Sequence, residues 1–243
     1  MTYCVALRLD RGLIFMSDTR TNAGIDNISR FRKMFTWEVP GERVITILTA
    51  GNLATTQAVI SLLEERMKAP EERNPSIMAA DTMFQVARLV GDTVKEVIRT
   101  QGNDGPDAEA KFGATLIVGG QIAGMEPRLF MVYPEGNFIE ASDETPFFQI
   151  GETKYGRPIL LRAFRPDMTF EEAVKLLYVS FDSTLKANLS VGMPLDLQTL
   201  EEGSFQVGQS RRINEDDPYF LTVSSRWGDA LKLAFDSLPD YEF

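Results

Sequence analysis

The sequence predicts an α+β protein arranged as a four-layer αββα sandwich, and three observations lead to that class. Strands and helices come in blocks: strands, two helices, strands, helices, then two closing strands and a helix. The single βαβ alternation of a parallel sheet is missing. The strands of the first block are joined by short turns, the mark of antiparallel hairpins. The helical segments carry apolar stripes on one side, so each can cover the outer face of a sheet. A chain of 243 residues with 44% hydrophobic side chains can bury a sizeable core. With no internal repeat, low-complexity tract or long linker, it reads as one domain over residues 1–243, with a C-terminal extension from about residue 201.

Tyr3 to Leu9 alternates, meets Asp10-Arg11-Gly12 and resumes from Leu13 to Asp18, which is a hairpin. After a polar connection, Lys33 to Val39, the turn Pro40-Gly41 and Arg43 to Ala50 form a second pair. Gly51-Asn52 breaks the strand before a helix from about Leu53 to Lys68, ended by Pro70. Asn74-Pro75-Ser76 opens a longer helix with the stripe Phe84, Ala87, Val90, Val94, Val97, stopping near Gly102. Strands return at Gly113–Gly119, Arg128–Tyr133 and Phe138–Ala141, with Gly119, Gly120 and Gly124 read as a hairpin turn. Thr169 with Glu171-Glu172 is a helix start whose stripe is Ala173, Leu176, Leu177, Phe181. Leu195–Leu200 and Tyr219–Ser224 read as strands, and Asp229–Phe235 as a closing helix. The charges of Glu64-Glu65-Arg66 and Glu71-Glu72-Arg73 read as a solvated helix end, and Cys4 as a small core residue.

Composition narrows the chemistry. There are 25 Lys plus Arg against 35 Asp plus Glu, a net charge of −10, one cysteine and no histidine. Imidazole-based triads, HExxH metal sites and Cys-rich zinc sites are excluded. The acidic balance argues against nucleic acid and anionic membranes, and no apolar run reaches the roughly 18–20 residues of a membrane span. Scarce cysteine and the lack of a secretory signal pattern at the N-terminus point to the cytoplasm.

Without imidazole, a hydroxyl nucleophile needs another base. Thr2 can supply its own: removal of Met1, favoured before a small residue, leaves a hydroxyl beside a free α-amine whose reference pKa is roughly 7.7–8.0. In the hairpin reading Thr2 lies opposite about Arg20, with Asp18 a diagonal neighbour on the same face. Lys33, at the head of the next strand, could reach the same end of the sheet, its ammonium fixed by Asp18. Gly51, at a strand-to-helix turn, offers a backbone N–H as oxyanion donor.

These residues resemble a proteasome-type β subunit, an N-terminal-nucleophile hydrolase. The resemblance rests on Thr2 after Met1, Ser17-Asp18-Thr19-Arg20, Lys33, Thr49-Ala50-Gly51 before a helix, Gly113 to Gly120, Gly151, and Thr169-Phe170-Glu171-Glu172-Ala173 running to Asn188-Leu189-Ser190-Val191-Gly192. The opening Met1-Thr2-Tyr3-Cys4-Val5, the stretch Ser29 to Met34 and the extra C-terminal length are most similar to the bacterial ancestral-β-subunit branch, Anbu. The resemblance implies the αββα fold and cofactor-free, metal-free threonine peptidase chemistry. Thr2 would be nucleophile and base, Lys33 the alkoxide-stabilising cation, Asp18 its orienting partner and Gly51 the oxyanion donor. Asn188 and Ser190 stand as accessory residues where the family has an accessory Asp and Ser, and Glu152 replaces an accessory serine. Substrate would add as an extended strand between Thr21-Asn22 and Thr49-Gly51. The implied partners are a peptide or amide substrate and further copies of the chain in a ring or open spiral, with no obvious ATPase. Two other readings stay open: a catalytically silent structural subunit, and an amidase acting on a small or modified peptide.

Overall fold

The computed structural model describes residues 2–22, 28–68, 75–102 and 111–243. Met1, Pro70, Glu71-Glu72-Arg73 and Asn74, and the side chain of Asn22, lie outside the described residues.

Two five-stranded antiparallel sheets form the centre. The first has the order β10 (Phe147–Gly151), β1 (Tyr3–Leu9), β2 (Gly12–Asp18), β11 (Leu195–Glu201), β12 (Ser210–Ile213). The second runs β5 (Met34–Val39), β6 (Arg43–Gly51), β7 (Ala114–Ile122), β8 (Arg128–Val132), β9 (Phe138–Glu140). A short ribbon of β3 (Arg20–Asn22) and β4 (Ile28–Arg30) continues β2 toward β5.

Side-chain alternation sorts the strands into layers. Tyr3, Val5 and Leu7 of β1, with Ile14 and Met16 of β2, face one helical layer. That layer is α3 (Arg157–Ala163), α4 (Phe170–Ala187) and α5 (Pro218–Asp236), which contributes Leu160, Leu177, Phe181 and Phe220. The other faces of the same strands carry Cys4, Ala6, Leu13 and Phe15 into the space between the sheets, where Leu48 and Ile117 meet them. Ile45 and Ile47 of β6 point the opposite way, onto α1 (Leu53–Lys68) and α2 (Met83–Gly102). The four-layer αββα sandwich is therefore present with the expected helices outside.

Close approach of the sheets depends on Gly119, where a Cβ would stand 2.7 Å from the Phe15 ring. Gly119 and Gly120 thus lie inside β7 rather than in a turn; of the three glycines expected there, Gly124 (φ +80°) follows the strand. Gln198 makes a polar bridge in the inter-sheet space: it donates to Thr46 Oγ1 at 2.7 Å and accepts from Thr36 Oγ1 at 2.9 Å.

Two other expectations change. Tyr219–Ser224 is rich in aromatic and β-branched residues, yet it lies within α5, because Asp217 caps the helix by accepting the Phe220 N–H at 2.8 Å and Pro218 fits its first turn. Ser76 caps only a 3₁₀ turn, Ile77–Ala79; α2 begins at Met83 and turns Phe84 outward, where it packs on Phe138. The short strands β10 and β12 and the helix α3 stand where the sequence carried no strong periodic signal. By contrast Thr169 and Glu172 form a reciprocal capping box at the start of α4, as the sequence pattern indicated.

Candidate active site

The site forms where β1 and β2 end against the head of β5. The hairpin pairs Leu9 with Gly12 and Cys4 with Ser17, leaving only Asp10 and Arg11 as its loop. Gly12 thus belongs to the strand pair (φ +139°), and the register differs by one residue from the expectation that placed Thr2 opposite Arg20. Tyr3, rather than Cys4 as that register would have it, is level with Asp18. The consequence is a backbone contact: Asp18 Oδ1 accepts the Tyr3 N–H at 3.0 Å, which ties the carboxylate to the peptide unit joining Thr2 and Tyr3.

Lys33 directly precedes β5, and its side chain runs into the same space. Its Nζ donates to Asp18 Oδ1 at 2.7 Å and to the Arg20 carbonyl at 2.5 Å. Both charged side chains are buried, Lys33 at 5% exposure and Asp18 at 0%. Burial pushes the Asp18 carboxyl above the ordinary carboxylate value, while the Lys33 ammonium and the N–H groups of Tyr3 and Gly192 pull it back. The Gly192 N–H reaches Asp18 Oδ2 at 3.3 Å, and Arg20 Nη1 fastens the same loop through the Leu189 carbonyl at 2.9 Å.

Gly51 is positioned by strand parity. Asn52 N–H donates to the Gly113 carbonyl at 3.0 Å, and Thr49 N–H donates the other way, to the Lys33 carbonyl at 2.9 Å. The Gly51 N–H lies on the Thr49 side, beyond the first residue of β5, and so opens toward the space beside Lys33. Its φ of +113° and a Cβ position 2.4 Å from the Gly113 carbonyl require glycine there. Asn52 then accepts the Thr55 N–H at 3.2 Å and starts α1.

Thr2, Thr21, Lys33, Thr49 and Gly51 line one cleft of about 550 Å³. Thr2 is buried, and its carbonyl accepts the Glu152 N–H at 2.6 Å, so β10 holds it from the other side. Arg32 also lines the cleft, a cation that nothing in the sequence pattern singles out from the stretch Ser29 to Met34. Asn22 contributes its backbone to β3, opposite Ile28. Asn188 and Ser190 are not on the cleft wall. Asn188 Oδ1 accepts the Ser190 N–H at 3.0 Å, which turns its Nδ2 toward Glu152 Oε2 at 2.8 Å. Among the described residues no group of three or more Cys, Asp or Glu side chains is arranged to hold a metal ion.

A model of the proteasome subunit family matches residues 2–198. The chain belongs to the proteasome subunit family. Solved structures extend the match over the full length. A mutant of Anbu from Hyphomicrobium sp. strain MC1 is 51% identical with a TM-score of 0.93, each chain covered at 100%. Anbu, the ancestral β subunit, from Yersinia bercovieri is 47% identical with a TM-score of 0.92, again at 100% coverage of both chains. The Anbu complex from Pseudomonas aeruginosa, described as a helical assembly, is 44% identical over 99% of this chain and 98% of that one, with a TM-score of 0.91. The αββα sandwich is thus that of a proteasome-type β subunit of the Anbu kind, in a family of threonine-type N-terminal-nucleophile hydrolases. No described helix is long and apolar enough to cross a membrane.

Proposed function

We propose that this chain is a threonine-type peptidase or amide hydrolase that uses Thr2, exposed as the N-terminal residue by removal of Met1. The observation that carries the reading is the buried Lys33–Asp18 pair at 2.7 Å, set at the head of the cleft that Thr2 and Gly51 line. A cation held away from water is worth far more to a developing alkoxide than one in solvent.

In this mechanism the Thr2 α-amine takes the hydroxyl proton, directly or through water, while the Lys33 ammonium stabilises the oxygen as it attacks the scissile carbonyl. Asp18 holds Lys33 in place. The Gly51 N–H receives the oxyanion of the tetrahedral intermediate. The amine returns its proton to the leaving nitrogen, and water then releases the acyl group from Thr2. An extended substrate lies between Thr21-Asn22 and Thr49-Gly51, taking backbone hydrogen bonds on both sides. The chemistry needs no metal or cofactor.

The active form is a cytoplasmic homo-oligomer, a ring or open spiral. Apolar side chains that the single chain leaves exposed support this: Leu233 at 71%, Phe235 at 74% and Leu238 at 64%, on or just beyond α5. Thr2→Ala tests the reading. It should abolish turnover of short peptide and amide substrates while assembly stays unchanged; full turnover in the variant removes Thr2 from the mechanism, and an inactive wild type favours a structural subunit.

A further inference from the structure

Charges buried in a protein need a counter-charge, and almost every buried charge among the described residues has it. Asp18 has Lys33, Arg43 has Glu42 at 2.8 Å, Asp182 has Lys186 at 2.9 Å, and Asp217 has Arg211 at 2.7 Å. Glu152 does not. It is 5% exposed, and among the described residues no Lys or Arg makes an ion pair with its carboxylate. Yet the carboxylate is held in place, with Oε1 accepting the Lys154 N–H at 2.6 Å and Oε2 the Asn188 Nδ2–H at 2.8 Å. Asn188 can only donate to it, because Ser190 N–H occupies its Oδ1.

Glu152 also sits against the proposed nucleophile. Tyr3 and Gly151 are partners in the β1–β10 ladder, so Thr2 and Glu152 face each other one step further on, joined by the 2.6 Å bond from Glu152 N–H to the Thr2 carbonyl. In such a hydrogen-bonded pair the Cα atoms are about 5.5 Å apart, within reach of a glutamate side chain. Removing Met1 places a new cation, the Thr2 α-ammonium, at this point.

We propose that Glu152 is the counter-charge of that ammonium. It is a positioning residue that fixes the amine beside the Thr2 hydroxyl and raises the amine's pKa, with Asn188 and Ser190 serving to orient it. The inference rests on the functional reading above, since it needs a processed Thr2. The charged and titratable groups around the amine have opposing effects. Glu152, and Asp18 on the β2 side, favour the ammonium, Lys33 and the Arg32 guanidinium on the cleft wall disfavour it, and Tyr3 is neutral and turned into the helical layer.

The test is trace acetylation of the assembled, processed protein with acetic anhydride across pH 5 to 10, with the N-terminal peptide quantified by mass spectrometry. Labelling of Thr2 rises as its amine deprotonates, so the midpoint reports the amine pKa without requiring turnover. Glu152→Gln should lower that midpoint by about one pH unit. The double exchange Glu152→Gln with Asn188→Asp returns a carboxylate to the other end of the same hydrogen bond and should bring the midpoint back toward the wild type, an effect that loss of structure would not produce. A processed chain whose midpoint is the same with Glu or Gln at position 152 overturns this proposal alone. A chain that still carries Met1 overturns the functional reading and this proposal together.

Discussion

Lys33 Nζ lies 2.7 Å from Asp18 Oδ1, with both side chains buried. Breaking a buried pair leaves one charge uncompensated, at a cost of roughly 3–5 kcal/mol. Asp18→Asn should therefore lower the unfolding midpoint substantially, as read by denaturant titration, and should also impair turnover by releasing Lys33. Lys33→Ala should lower kcat by roughly 10²–10³-fold, the scale of losing one group that stabilises transition-state charge. Stability unchanged within error in Asp18→Asn would show that the pair is solvated.

Gly151 and Gly203 make a controlled comparison. Both have φ near +80°, at +82° and +76°. A Cβ at Gly203 meets nothing within 4 Å, whereas one at Gly151 falls 2.1 Å from the Thr2 carbonyl oxygen. Gly203→Ala should cost only the backbone strain, roughly 1–2 kcal/mol, with turnover intact. Gly151→Ala should displace Thr2 and lose turnover out of proportion to its stability. Equal turnover in the two variants would contradict the account of Thr2 placement.

Tyr3 is fully buried and donates or accepts within a chain running from Gln149 Nε2 (2.8 Å) through the Tyr3 hydroxyl to Ser180 Oγ (2.7 Å) and the Gly156 carbonyl (3.0 Å). Burial pushes its hydroxyl from 10.0 up to about 12. A raised folded-state pKa stabilises the native state fully below pH 10, and that contribution is lost as pH climbs through 12. The loss amounts to about 2–3 kcal/mol. Thermal melts between pH 10 and 12 should show wild type losing stability faster than Tyr3→Phe, which cannot ionise. Parallel curves for the two proteins would contradict this.

Cys4 lies between the sheets at 0% exposure, and burial pushes its thiol well above the ordinary range despite the nearby Lys33. A thiol reagent at neutral pH should find no reactive group in the native protein and one per chain in denaturant. Reaction of the native protein would mean that the inter-sheet space opens.

Much of this was legible in the residues. The β1–β2 hairpin, the αββα layering and the Thr169 helix start follow from alternation, periodicity and motif, and Thr2, Lys33 and Gly51 from what a hydroxyl nucleophile needs without imidazole, whereas Thr21 and Thr49 are implied only by the family resemblance. Register was the weak point. Reading Asp10-Arg11-Gly12 as a three-residue turn shifts the pairing by one, because nothing local says that Gly12 already pairs with Leu9. The strand expected at Tyr219–Ser224 failed for a complementary reason: the Asp217-Pro218 helix start outweighs a β-rich composition. The Glu152–Asn188 bond joins positions 36 residues apart and appears only when β10 and the end of α4 meet.

The central claim, that Thr2 is a nucleophile with its own free amine, is tested most directly by the intact mass of the assembled protein before and after treatment with a peptide epoxyketone, which needs both groups to react. A nucleophilic Thr2 gives a mass lacking Met1 and one adduct per chain, absent in Thr2→Ala. Retained Met1, or a processed chain that forms no adduct, would contradict it.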